Sequence, residues 1–159
     1  MNYYKVDHDP LNMLGLRNIR NTDKADYNCG GYALGTFSWY LPSRTREEYT
    51  DIMGHADIGD MDTALTLAAE AIVNELPGWS VVPLALVMER KYSPKDYEIV
   101  AMRFCYYDFH FWKLGRNWNW YDKMGCRRQI NRHAFNDVRR YEWNDRYDSP
   151  VVCFMRARK

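Results

Sequence analysis

The strongest periodic pattern of apolar residues lies between Met61 and Leu76. The apolar positions recur every three or four residues, at Met61, Leu65, Ala68, Ile72 and Leu76. This spacing places them along one face of a helix. Asp60 or Asp62 can cap the first turn, and Pro77-Gly78 ends the segment. We therefore predict an amphipathic helix over about residues 61–76.

Two shorter helices are predicted before it. One runs from about Gly30 to Tyr40, until Leu41-Pro42 stops it. The other covers about residues 43–53 and is followed by a loop from Gly54 to Gly59. Residues 1–28 show no such periodicity, so an irregular N-terminal segment is expected.

Beyond residue 78 the pattern becomes that of strands, rich in β-branched and aromatic residues. The predicted strands cover residues 79–86, 97–104, 108–113, 118–122 and 150–155. Leu114-Gly115-Arg116-Asn117 is typical of a hairpin turn between two of them. Helices followed by strands with short connections predict an α+β domain with an antiparallel sheet. The length of 159 residues fits a single domain over residues 1–159.

Composition agrees with a globular domain. Hydrophobic residues make up 47% and aromatic residues 16% of the chain, which is enough for a core. No apolar run is long enough to cross a bilayer, and the first residues form no signal segment. We therefore expect a soluble, cytoplasmic protein with no membrane contact. The four cysteines are too few and too scattered for a disulfide framework, so free thiols are expected.

Charge is unevenly distributed, although the net charge is only +1. Residues 116–159 carry 11 Lys and Arg against 5 Asp and Glu. A basic C-terminal third can face nucleic acid or an acidic partner. A solvated basic surface that offsets an acidic one is the simpler interpretation, so nucleic acid is not the favoured partner.

Cys29 lies where the N-terminal segment becomes a helix. The positive end of a helix dipole favours a thiolate there, and the free N–H groups of the first turn can bind an oxyanion. Gly30 and Gly31 are poor helix formers, but they let a substrate carbonyl approach the backbone. A small buried side chain is the alternative interpretation of Cys29, and a catalytic role requires a base.

His110 is the histidine that falls in a clear strand. Alternation puts Asp108, His110 and Trp112 on one face of that strand. If Trp112 pairs with Trp120, Asp122 lies opposite His110; if Trp112 pairs with Trp118, Asp122 is the diagonal neighbour of His110. In either register Asp122 can orient the imidazole, with Asp108 as the alternative orienter. A histidine satisfied within the core is the competing interpretation.

Two motifs resemble a known superfamily. The stretch Asn28-Cys29-Gly30-Gly31-Tyr32-Ala33-Leu34 resembles the cysteine helix of NlpC/P60-like proteins, in which Asp-Cys-Ser-Gly opens the catalytic helix. Residues 108–113 and 120–125 resemble a block in small papain-like proteins of gut bacteria and their phages, in which an aromatic-flanked histidine precedes Trp-Ser-His-Lys-Pro-Gly. Three positions depart from these patterns: Asn28 replaces an Asp, Tyr121-Asp122 replaces Ser-His, and Met124 replaces a proline.

This resemblance implies a papain-like α+β fold, with an N-terminal catalytic helix packed on an antiparallel sheet. It implies a cysteine peptidase or related thiol hydrolase without cofactor or metal, in which Cys29, His110 and Asp122 form the triad. The predicted contacts to oxyanion or substrate are Asn28, Gly30, Gly31 and Trp112. The expected substrate is a peptide, peptidoglycan or a protein, cleaved by a peptidase, amidase or deconjugase. If a phage encodes the chain, it acts in the host cell or the virion.

Two other functions compete with this one. A catalytically inactive papain-like binding module of phage or anti-defence type fits the departures from the family pattern and the basic C-terminal third. A zinc site can be drawn from Cys105, His110, Cys126 and His133, but these spacings match no standard zinc module. The sequence leaves the substrate and the oligomeric state open.

Overall fold

A computed structural model describes residues 2–5, 27–36, 38–125, 129–139, 147 and 149–158. Within this part of the chain, seven strands form one antiparallel sheet in the order β1-β6-β5-β4-β3-β7-β2. The strands are β1 Asn2–Lys5, β2 Ser80–Val82, β3 Tyr97–Phe104, β4 Phe109–Leu114, β5 Trp120–Lys123, β6 Gln129–His133 and β7 Val152–Ala157. The α+β class with an antiparallel sheet is confirmed.

The α-helices precede most of the strands. They are α1 Cys29–Ala33, α2 Arg46–Asp57, α3 Met61–Glu75 and α4 Leu84–Met88, and a 3-10 helix spans Phe135–Arg139. The Thr45 hydroxyl caps α2 by accepting a hydrogen bond from the Glu48 N–H at 3.1 Å. The Asp60 carboxylate caps α3, so of the two caps that the sequence allowed, Asp60 and Asp62, the first is used. No helix in the described ranges has the length and hydropathy needed to span a bilayer.

Buried apolar side chains form two clusters, one on each face of the sheet. Alternation along β4 divides its side chains between them, with Phe109 and Phe111 in the first and Trp112 and Leu114 in the second. The first cluster also takes the predicted apolar stripe of α3, including Leu65, Ala68 and Ile72. The central strands are therefore covered on both faces, which fixes the orientation of every side chain along β4.

The bounds of several helices and strands differ from the predicted ones. Helix α1 ends after five residues instead of reaching Tyr40, because Gly35 adopts a left-handed φ of +71° just beyond it. Helix α2 continues through Gly54 and ends at Asp57. The predicted strand over residues 79–86 is split, since Pro83 ends β2 and starts α4. Strands β1 and β6, which pair with each other, were not predicted.

The β4–β5 hairpin positions the residues on which the site depends. Lys113 lies opposite Tyr121 and Leu114 opposite Trp120, a register that differs from both predicted ones. Extending this register places Asp122 opposite Trp112 and diagonal to His110. The turn is longer than expected, closed by a 2.9 Å hydrogen bond from the Gly115 N–H to the Asn119 carbonyl. The shift is by an even number of residues, so His110 and Asp122 stay on one face.

Candidate active site

The Cys29 thiol lies at the first residue of α1, held there by its neighbour Asn28. The Asn28 Oδ1 accepts hydrogen bonds of 3.0 Å from the N–H groups of Gly31 and Tyr40, and its Nδ2 donates one of 2.7 Å to the Tyr40 carbonyl. One side chain thus caps the helix and fixes the segment around Tyr40. The oxygen and one N–H of the Asn28 amide thus serve the fold, and because Asn28 also lines the cleft, its contact with the oxyanion or the substrate stays a prediction.

The two glycines after Cys29 serve internal packing. A Cβ on Gly31 would lie 2.0 Å from the Ser38 carbonyl oxygen. A Cβ on Gly30 would lie 3.1 Å from the Tyr40 ring and 3.3 Å from Phe111. Both missing side chains therefore face the protein, which corrects the expectation that the glycines admit a substrate. The Gly31 N–H is also used by Asn28, so it is not an oxyanion donor.

The imidazole of His110 is bonded to Asp122 and buried with it. The His110 Nε2 lies 2.6 Å from Asp122 Oδ2, and each side chain is only 2% exposed. The contact with Asp122 leaves the other ring nitrogen, Nδ1, for a different partner, and Cys29 lines the same cleft as His110. The structure thus brings Cys29, His110 and Asp122 together, from α1, β4 and β5.

Two aromatic rings fix the plane of the imidazole. Tyr147 stacks on it at 5.1 Å between ring centroids, and Trp112 contacts it edge-to-face at 4.4 Å. Trp112 is fully buried in the second core cluster. The prediction that Trp112 contacts the substrate is corrected accordingly, because this residue packs behind His110.

Charge and burial act against each other at His110. Burial disfavours the imidazolium, but the negative charge of Cys29 and the hydrogen bond that Asp122 accepts outweigh it and raise the pKa of His110 to about 10. Burial likewise disfavours the Asp122 carboxylate, yet hydrogen bonds from His110 and His133 lower its pKa. The site therefore favours a protonated imidazole at His110.

His133 is a member of the site that the sequence analysis did not place there. Its Nε2 lies 3.1 Å from Asp122 Oδ1, so the two oxygens of one carboxylate contact two imidazoles. His133 lies on β6 opposite Trp120, which makes it a diagonal neighbour of Asp122. A prediction of β6 as the strand beside β5 would have revealed this contact.

Asp108 is hydrogen-bonded to Tyr147, the residue that stacks on the imidazole. Its Oδ1 accepts a 2.8 Å hydrogen bond from the Phe109 N–H, and its Oδ2 accepts one of 3.0 Å from the Tyr147 hydroxyl. It therefore positions the ring that stacks on His110. Asp108 was the alternative orienter in the sequence analysis, but the carboxylate hydrogen-bonded to His110 is that of Asp122.

Lys123 joins the two sides of the site. Its ammonium is fully buried and donates hydrogen bonds to the carbonyls of Tyr27, at 2.6 Å, and Gly125, at 2.5 Å. It also lies 4.8 Å from the centre of the Tyr27 ring. The backbone that leads into Cys29 is thus connected to the loop after β5.

A cleft of about 490 Å³ opens over these residues. Its walls are formed by Asn28, Cys29, Trp39, Leu41, Tyr49, Asp108, Phe109, His110, Met124, Gly125 and Tyr147. A second cavity of about 590 Å³, between α3 and the β2–β7 edge, is lined by neither cysteine nor histidine. The cleft at Cys29 is therefore the candidate active site.

The alternative zinc site is not formed by those of its four residues that the structure describes. Cys105 is buried in the second core cluster, while His110 and His133 are bonded to Asp122. Cys126 lies outside the described residues. Within those residues, no group of three or more His, Cys, Asp and Glu side chains is arranged to hold a metal ion.

Compared with known proteins, the chain matches no family model, no curated sequence and no solved structure. Function is therefore inferred from the geometry of Cys29, His110 and Asp122.

Proposed function

We propose that the protein is a thiol-dependent hydrolase that cleaves an amide or peptide bond, with a papain-like arrangement of its catalytic groups. One observation carries this proposal. A cysteine, a histidine and an aspartate from three separate elements come together at a cleft: Cys29 and His110 line it, and Asp122 is hydrogen-bonded to His110. The nucleophile begins a helix, while the base and its orienter come from neighbouring antiparallel strands, which is the order that a papain-like enzyme requires.

The reaction follows from where the protons lie. The Cys29 thiolate attacks the carbonyl carbon and forms a C–S bond, which moves an electron pair onto the oxygen. When this intermediate collapses, His110 donates its proton to the leaving amine and a thioester remains on Cys29. His110 then takes a proton from water, whose oxygen attacks the thioester. A carboxylic acid is released, and Cys29 and His110 return to their initial states.

Asp122 and His133 act behind the imidazole. The 2.6 Å bond to Asp122 fixes the ring with Nδ1 toward Cys29 and stabilises the imidazolium. His133 occupies the other carboxylate oxygen and so limits the rotation of Asp122. Because both contacts are buried, loss of either one leaves a polar group unsatisfied.

Alkylation with iodoacetamide at pH 7, followed residue by residue with mass spectrometry, tests the proposal. We expect Cys29 in the native protein to react much faster than Cys105, Cys126 or Cys153. Cys153 is a useful internal reference, because burial raises the pKa of its thiol to about 12. The C29A variant identifies the labelled site. Equal labelling of all four cysteines would leave the chain as a binding module that lacks turnover.

A further inference from the structure

The segment that carries Trp39, Tyr40 and Leu41 is fixed beside the nucleophile. Both backbone groups of Tyr40 are hydrogen-bonded to the side chain of Asn28, the residue before Cys29. The Tyr40 ring is buried, contacts Phe111 edge-to-face at 6.3 Å and donates a 3.1 Å hydrogen bond to Glu75. The middle residue of this segment therefore belongs to the core.

Its two neighbours line the cleft instead. Trp39 is 54% exposed and Leu41 37% exposed, although both side chains are large and apolar. We call these two residues the apolar shelf. The backbone between them is held by Tyr40, which is buried and hydrogen-bonded to Asn28. A rigid apolar surface beside a nucleophile is suited to binding the apolar part of a ligand.

We propose that the apolar shelf selects acyl groups that carry a large aromatic or branched aliphatic side chain, an inference that rests on the proposed hydrolase function. We choose the acyl side because the shelf lies next to Cys29: the backbone of Tyr40, between the two shelf residues, is hydrogen-bonded to Asn28, the residue before Cys29. The acyl group is the part of the substrate that becomes attached to the Cys29 sulfur. Tyr49 and Phe109, which also line the cleft and meet edge-to-face at 6.3 Å, extend the apolar surface around the bound side chain.

The test uses two chloromethyl ketones, those of N-acetyl-phenylalanine and N-acetyl-glycine. Each alkylates a thiolate by forming a C–S bond with loss of chloride. The rate constant for modification of Cys29 is measured with both probes by mass spectrometry. We expect the phenylalanine probe to react about tenfold faster or more, since burying such a side chain provides the corresponding binding energy.

Matched variants assign the preference to the shelf. Trp39→Ala and Leu41→Ser should each reduce the ratio of the two rates. Tyr106→Ala changes a comparably exposed aromatic residue that does not line the cleft, and should leave the ratio as it is. Equal rates in the unmodified protein, or a preference that survives both shelf variants, would overturn the inference. Rapid reaction of Cys29 with iodoacetamide would still support the hydrolase in that case, so the two proposals fail separately.

Discussion

Replacing Asp122 with asparagine is expected to lower the pKa of His110 and slow the alkylation of Cys29. The carboxylate supports the imidazolium by its charge and by a 2.6 Å hydrogen bond. Asparagine has nearly the same shape but no charge, and its NH₂ group must face one of two imidazole N–H donors, on His110 or His133. The change therefore removes electrostatic support while leaving the packing almost unaltered.

The magnitude follows from the burial of the pair. A hydrogen bond to a charged group contributes about 1.5–3 kcal/mol. Little solvent screening applies, because His110 and Asp122 are each 2% exposed. This energy corresponds to a pKa of His110 lower by about one to two. The imidazolium exists only below the pKa of His110, so in the variant it is lost at a lower pH than in the unmodified protein. Alkylation of Cys29 should therefore change little near pH 7 and fall between about pH 8 and 10, where the variant has lost the imidazolium that the unmodified protein retains.

Two measurements check this expectation. Nuclear magnetic resonance of the histidine Cε1 groups follows the titration of His110, assigned with His110→Ala, and mass spectrometry follows the rate at Cys29 across the same pH range. Asp57→Asn, which removes an exposed carboxylate at the end of α2, is the control. If the titration of His110 were the same in Asp122→Asn and the unmodified protein, Asp122 would not support the imidazolium and the triad would be wrong.

Four further outcomes are expected. Cys29→Ala should abolish hydrolysis of any substrate while shifting the thermal midpoint little, and retained turnover would move the chemistry elsewhere. His110→Ala should bring Cys29 down to the alkylation rate of an ordinary thiol, and an unchanged rate would exclude His110 as the base. His133→Phe should lower the rate of Cys29 alkylation by about tenfold. His133→Gln keeps an N–H donor for Asp122 and should therefore retain much of that rate. Equal rates in the two variants would indicate that His133 acts through packing alone. Gly31→Ala should cost about 1–3 kcal/mol in urea unfolding, because its Cβ would overlap the Ser38 carbonyl, and a neutral result would contradict the packing around α1.

The part of the site that the sequence predicted depends on local patterns. A cysteine at a helix start is visible in the chain itself, and alternation along β4 fixes the face of His110. The prediction that Asp122 lies beside His110 did not depend on the exact register, because any register shift by an even number of residues keeps both side chains on one face. The exact register was wrong because the turn contains residues 115–119, with Trp118 at a φ of +65°.

What the sequence did not reveal depends on distant contacts. The contact of His133 with Asp122 requires β6 to lie beside β5, and the Arg-rich stretch around His133 gave no strand pattern. The roles of Gly30 and Gly31 could not be read from the helix that contains them, because the groups they pack against belong to Ser38, Tyr40 and Phe111. Propensity describes a residue's own segment and carries no information about such neighbours.

The buried Lys123 has a consequence for the order in which the surroundings of Cys29 form during folding. Its bond to the Tyr27 carbonyl joins residues 96 positions apart. Contacts of such long sequence separation close large loops and form late in folding. The environment of Cys29 is thus completed only when β5 has been synthesised and paired. A nascent chain that has emerged as far as α3 contains Cys29 but neither His110 nor Asp122, so the three side chains come together only after β4 and β5 have been synthesised.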